Sequence, residues 1–156
     1  VPNDASEAKL QNIKNYDATI EIYGKDCVDS EMKAREVAHQ NEQVYVSPYN
    51  DPAVVAGQGT IGYEINNQCD GLDVIIVSVG GGGLIGGTAS YLKSVRPSLH
   101  VIGCSPENSA VMIHSMKKGE ILDLESLPTL SDGTAGGVEK HSITFSICKD
   151  IFPRKI

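Results

Sequence analysis

Val77-Ser78-Val79-Gly80-Gly81-Gly82-Gly83-Leu84-Ile85-Gly86-Gly87 is the stretch that decides the fold. It ends a β-branched run, residues 73–79, of the kind that makes a strand buried on both faces. Four glycines follow, and then a segment to residue 95 with the look of a helix. Four successive residues without Cβ are costly in chain entropy, so a plain strand-to-helix turn gives no reason for them. They let several backbone N–H groups converge on one point, beside the positive end of the next helix. A phosphate monoester is the natural ligand of such a nest. Gly86 and Gly87 fall in the first turns of that helix, where small residues permit close packing on the sheet.

Outward from this point, strand-like and helix-like segments alternate. The helix over 84–95 is closed by Pro97, and 100–104 reads as the next strand. Residues 109–118 form a helix ended by Gly119, 119–137 a long irregular stretch, and 142–151 a last short helix. On the other side, Pro48-Tyr49-Asn50-Asp51-Pro52 is a dense turn signal, followed by a helix over 54–68 despite its glycines. Earlier still, 6–16 and 29–40 have helical spacing, the first capped by Asp4 or Ser6, while 18–23 and 43–47 read as short strands. This alternation predicts parallel strands joined by right-handed crossovers, an α/β, doubly wound layered fold.

Composition narrows the function. A net charge of −7, no tryptophan and two phenylalanines argue against a nucleic-acid or anionic-membrane surface and against a base-stacking platform. The longest apolar run, 74–79, is far short of the roughly 20 residues of a membrane span, and no leader pattern opens the chain, so a cytoplasmic setting is expected. Cys27, Cys69, Cys104 and Cys148 form no C-x-x-C pair and are expected to be reduced, buried as small apolar residues. His39, His100, His114 and His141 show no ligand spacing, and Lys9, Lys14 and Lys33 fall on helix surfaces. The residues alone leave the kind of phosphate open. Gly81-x-Gly83-x-x-Gly86 matches a dinucleotide fingerprint, but the next strand ends at Cys104-Ser105, with Glu107 late for the ribose acid. A Walker loop is excluded, because no Gly-Lys-Ser/Thr follows.

Four stretches together resemble the pyridoxal-phosphate enzymes of the tryptophan-synthase-β fold type (fold type II), in their threonine/serine dehydratase and serine racemase branch. They are Val1-Pro2 with Ser6-Glu7-Ala8-Lys9; Pro48–Pro52 with Val55-Ala56-Gly57-Gln58-Gly59-Thr60; Val79–Leu84; and Leu130-Ser131-Asp132-Gly133-Thr134-Ala135. The resemblance implies a central segment of a two-domain fold, with 1–47 in the smaller domain and 48–156 in the larger, phosphate-binding one. It implies pyridoxal 5'-phosphate as cofactor, its phosphate held by the N–H groups of Gly80, Gly81, Gly82, Gly83 and Leu84. It also implies Tyr49 and Gly133 near the cofactor ring and Gly57-Gln58-Gly59 shaping the cleft, with Tyr49 leaning towards dehydratases because racemases tend to carry Asn there.

The same resemblance places two pieces upstream of the Val-Pro motif: the Schiff-base lysine in an S-x-K-x-R/G segment, and the loop that binds the substrate carboxylate. A pyridine-nitrogen partner would come after Ile156. None of the three is read in this chain, whose opening at Val1 without a methionine suggests an excised or truncated piece. No catalytic residue is therefore assigned, and activity of the chain alone is left open. The branch's E-P-x-x-A-x-D cation motif is replaced by Ser105-Pro106-Glu107-Asn108-Ser109-Ala110-Val111, so no metal is expected. The implied complete enzyme is a homo-oligomer that turns L-threonine or L-serine into a 2-oxo acid and ammonia. The alternatives are a serine racemase and a non-catalytic paralogue that binds phosphate or a partner chain.

Overall fold

The structure is a computed structural model, and it describes residues 1–153. The chain forms two compact units, Val1–Tyr45 and a second beginning at Val46. In the first, α1 (Glu7–Lys14) starts at Ser6, whose hydroxyl accepts the Lys9 N–H at 3.4 Å. Helix α2 (Cys27–Gln40) starts on a reciprocal cap: Asp26 accepts the Val28 N–H at 3.0 Å, and Asp29 reaches back to the Asp26 N–H at 3.3 Å. Residues 18–23 do not form the expected strand. The Val1 ammonium donates to the Glu21 carbonyl and the Tyr23 N–H to the Val1 carbonyl, both at 2.8 Å. The next donor, the Asn3 N–H, goes to the Gly24 carbonyl at 3.1 Å, so the pairing does not continue as a regular ladder. Residues 43–47 likewise form no strand among the described residues.

The second unit contains α3 (Pro52–Gln68), β1 (Val74–Ser78), α4 (Gly83–Val95), β2 (His100–Cys104), α5 (Val111–Lys118) and α6 (Ile143–Ile151). Asp51 caps α3, accepting the Ala53 and Val54 N–H groups at 2.7 and 3.2 Å, with Pro52 in the first turn where no donor is needed. Strands β1 and β2 pair in parallel, from Val74 opposite His100 to Ser78 opposite Cys104. Val77, Val79, Ile85, Ala89, Val111, Met112, Val138 and Cys148 make the core, joined by Ile75 and Val101 from the strands. The expectation of a strand buried on both faces does not hold here, since Ile76 is 67% exposed. The half-buried Ile75 and the buried Val77 alternate with exposed positions, because within the described residues the helical core packs on one face of the pair.

Helices α3 and α4 meet through a seam of glycines. A Cβ on Gly87 would lie 2.1 Å from the Val55 carbonyl oxygen, and one on Gly62 would lie 2.7 Å from that of Thr88. The Thr88 hydroxyl donates to the Gln58 carbonyl at 3.2 Å across the same seam. Arg96, just past α4, locks the far end: its guanidinium donates to the Asn66 side chain and to the Asn66, Cys69 and Asp70 carbonyls at 2.7–3.1 Å. Those carbonyls lie at the end of α3, where orphan acceptors and the negative end of the helix favour a cation. Gly87→Ala must therefore push the helices apart. Urea unfolding should show a loss on the order of 2–3 kcal/mol, the range of an overpacked core site.

Candidate functional site

The ladder between the strands runs one residue past β1, with the Val79 N–H donating to the Cys104 carbonyl at 2.8 Å. The chain then turns through Gly80–Gly82 and enters α4, and Gly82 takes φ +86°, which an L side chain rarely adopts. The first helical hydrogen bond is Gly86 N–H to the Gly82 carbonyl at 2.9 Å. No side chain caps the helix. The N–H groups of Gly80, Gly81, Gly82, Gly83, Leu84 and Ile85 thus have no acceptor among the described residues, although Gly82, Gly83 and Ile85 are buried. Buried donors in native proteins are nearly always paired, and a run of them at a helix start suits an oxyanion.

Each of the four glycines is also required by a close neighbour. A Cβ on Gly80 would stand 2.9 Å from the Thr134 carbonyl oxygen, and one on Gly81 would stand 2.5 Å from the Tyr49 ring. On Gly83 it would meet Tyr49 Cβ at 2.9 Å; on Gly82 it would meet Cys148, Met112 and Thr144, all at 3.1 Å. The Thr144 hydroxyl donates to the Gly81 carbonyl at 2.6 Å. The buried Tyr49 accepts the Glu139 N–H on its hydroxyl at 2.8 Å. The loop is therefore held from three sides, by the 48–52 turn, the Asp132–Thr134 turn and the start of α6.

The sequence profile described as "Pyridoxal-phosphate dependent enzyme" matches residues 1–153. The chain belongs to this family. It is 35% identical over 151 residues to the threonine dehydratase of Nicotiana attenuata, covering 97% of this chain and 25% of that protein. Among solved structures, it is similar to the processed threonine deaminase isoform 2 of Solanum lycopersicum, with a TM-score of 0.79, 31% identity, and coverage of 96% of this chain and 43% of that one. Maize serine racemase gives a TM-score of 0.83 at 29% identity, with 96% and 45% covered. The fold is thus the α/β fold type II of the pyridoxal-phosphate enzymes, and pyridoxal phosphate is the cofactor of the family. The chain spans less than half the length of each of these three relatives.

Sequence reading located the loop but not all of its supports. Thr134 lies in the quoted 130–135 stretch but was given no supporting role, and Glu139 and Thr144 were missed; for Thr144 the Ser142-Ile143-Thr144 spacing at a helix start was the available signal, and the partners of all three lie far along the chain. Gly57, Gln58 and Gly59 lie inside α3, where Gln58 and Gly59 face α4 across the seam, and Gly133 is exposed in its turn. One S-x-K-x-G match does occur, Ser115-Met116-Lys117-Lys118-Gly119, a match in letters that the sequence reading overlooked. It ends α5: Ser115 is buried and accepts the Leu122 N–H at 3.0 Å, while Lys117 and Lys118 are exposed in the last turn. Lys9 and Lys14 are exposed as well, and Lys33 is half-buried in an ion pair with Glu36 at 3.0 Å.

The branch's cation position does not fit a divalent metal. The Ser105 hydroxyl donates to the Val79 carbonyl, Ser109 shares a 2.7 Å hydrogen bond with Ser126 and accepts the Gly136 N–H at 3.0 Å, and Val111 is buried. Hydroxyls already engaged and an apolar side chain are not the hard anionic ligands that Mg²⁺ or Ca²⁺ requires. Thermal melts in millimolar Mg²⁺, Ca²⁺ or EDTA should therefore superimpose.

The thiols depart from expectation too. Cys27, Cys69 and Cys104 are exposed, because they stand at the first residue of α2, the end of α3 and the open face of β2; only Cys148 is buried. Burial pushes the Cys148 thiol up to about 12 from 9.0. A thiol titration of the native protein should count Cys69 and Cys104 as fast, Cys27 as slower because partial burial and the nearby Asp26 and Glu31 push its thiol up, and Cys148 as protected until denaturant is added. Stability should fall as pH rises from 9 towards 12, since the unfolded thiol ionises first.

Proposed function

We propose that the N–H groups of Gly80, Gly81, Gly82, Gly83 and Leu84 bind the phosphate of pyridoxal 5'-phosphate, in a chain that forms part of a threonine/serine dehydratase. That enzyme, an ammonia-lyase, would convert L-threonine or L-serine to a 2-oxo acid and ammonia. The observation that carries the reading is the unbroken run of unpaired donors at an uncapped, half-buried helix start. A phosphate dianion suits it because the donors are fixed before binding and the helix end adds partial positive charge. No side chain at 80–83 stands in the way, and Tyr49, Thr134 and Thr144 support the loop at close contact.

When bound, the cofactor supplies the electron sink for chemistry at the amino-acid α-carbon. This chain's part is to anchor and orient the phosphate end; none of its side chains is given a proton-transfer role. Residues 1–47 would then belong to the smaller domain and 48–156 to the larger one. A homo-oligomeric, cytoplasmic enzyme is in keeping with the exposed apolar strand face and the free thiols. The net charge of −7 weighs against nucleic acid as a partner, and no described helix is long and apolar enough to cross a membrane.

A serine racemase is the second reading, favoured by the likeness to the maize enzyme and opposed by Tyr49 in place of Asn. With pyridoxal phosphate and L-threonine, the full-length enzyme that contains this segment should release ammonia and 2-oxobutanoate. D-serine from L-serine without net ammonia would instead support the racemase, and phosphate binding with neither product a non-catalytic paralogue. Gly82→Ala, with its added Cβ and strained φ, should weaken pyridoxal-phosphate binding about tenfold or more while the circular dichroism spectrum is kept.

A further inference from the structure

We propose that the buried carboxylate of Glu139 is a positioning residue, which acts through Asn50 to set Tyr49 against the glycine loop. The inference rests on the proposed phosphate role of that loop for its functional meaning, but its geometry stands independently. Glu139 is only 5% exposed, and a carboxylate so placed is costly unless hydrogen bonds replace its water. Its Oε2 accepts from Asn50 Nδ2 at 2.7 Å, across 89 residues of sequence. The same residue's N–H donates to the Tyr49 hydroxyl at 2.8 Å. Asn50 Oδ1 in turn accepts the N–H of Ile143, the first residue of α6, at 3.0 Å.

Two adjacent turn residues are thus tied to the 139–143 segment by three hydrogen bonds. The Asn50 amide has one satisfactory orientation, NH₂ to the carboxylate and oxygen to the backbone donor, because the reverse would face oxygen to oxygen and N–H to N–H. The Ser47 hydroxyl fixes the base of the turn by accepting the Asn50 N–H at 2.9 Å. The turn carries Tyr49, whose backbone and ring lie where Cβ atoms of Gly83 and Gly81 would be. At such distances a small shift of Tyr49 must either compress the loop or leave it unsupported. The peptide planes of Gly81 and Gly83 direct donors assigned to the phosphate. Glu139 therefore acts on those donors from behind, through Asn50 and Tyr49.

The test is nuclear magnetic resonance on the protein labelled at glycine, together with titration of inorganic phosphate. The Gly81 α-protons lie against the Tyr49 ring, so ring current should shift them from ordinary glycine positions. Glu139→Ala and Asn50→Asp should each return those resonances towards ordinary values and weaken phosphate binding about five- to tenfold, the effect of losing one ordinary hydrogen bond. Glu139→Gln, which still presents an acceptor to Asn50, should stay within about twofold of wild type in binding and keep the shift. An unchanged Gly81 shift in Glu139→Ala, or a Gln variant as impaired as Ala, would overturn the proposal. Should Glu139→Ala fail to fold, Asp and Gln at this position replace it: Asp, one methylene short, must lose the shift that Gln retains, and equal behaviour refutes the positioning role. If wild type binds neither inorganic phosphate nor pyridoxal phosphate, the phosphate reading fails, while the Gly81 shifts still decide the role of Glu139.

Discussion

Backbone donors that a helix cannot use constrain everything around Gly80–Ile85. A helix leaves its first N–H groups without internal acceptors, and here no side chain supplies one. Burying such groups is tolerable only if something anionic or polar completes them. That requirement explains the glycines, which bring the donors together. It also explains the crowding behind them, where Tyr49, Thr134 and Thr144 leave the loop little freedom to satisfy its donors by rearranging. The family relation gives this arrangement its chemical setting, but the constraint itself is local physics.

The support structure is built from contacts that leave no room for side chains, in two places for the same reason. At the α3–α4 seam the absence of Cβ atoms lets two helix backbones touch. At the loop it lets a tyrosine ring lie on the backbone. The first surface lies on α4 and the second on the loop that runs into it: one positions the helix, the other its first donors. Substitution at either would alter the other through a rigid rod.

Much of the fold was legible because its signals are local. The β-branched run to Val79, the glycines, Asp51-Pro52 at a helix start and Gly119 at a helix end each specify backbone geometry within a few residues. Helix starts at Ser6 and Pro52 and the strand at His100–Cys104 emerged close to where pattern placed them. The strands expected at 18–23 and 43–47 did not, since β-branched residues describe a surface suited to a ladder and not the presence of a partner. Exposure of Cys27, Cys69 and Cys104 escaped for a similar reason, as a thiol's burial depends on what packs over it. Glu139 illustrates the limit most clearly: a lone Glu in an irregular segment looks like a solvated charge until Asn50 is brought beside it.

The short sheet has a consequence for motion. Two five-residue parallel strands have too little interface to persist without the helices packed on them. The Val79–Cys104 bond extends their ladder to the edge of the glycine loop. Strand pair, loop and α4 should therefore open as one cooperative unit, so that their amide protons exchange together. A ligand seated on the loop would then slow exchange as far away as His100, at the other end of β2.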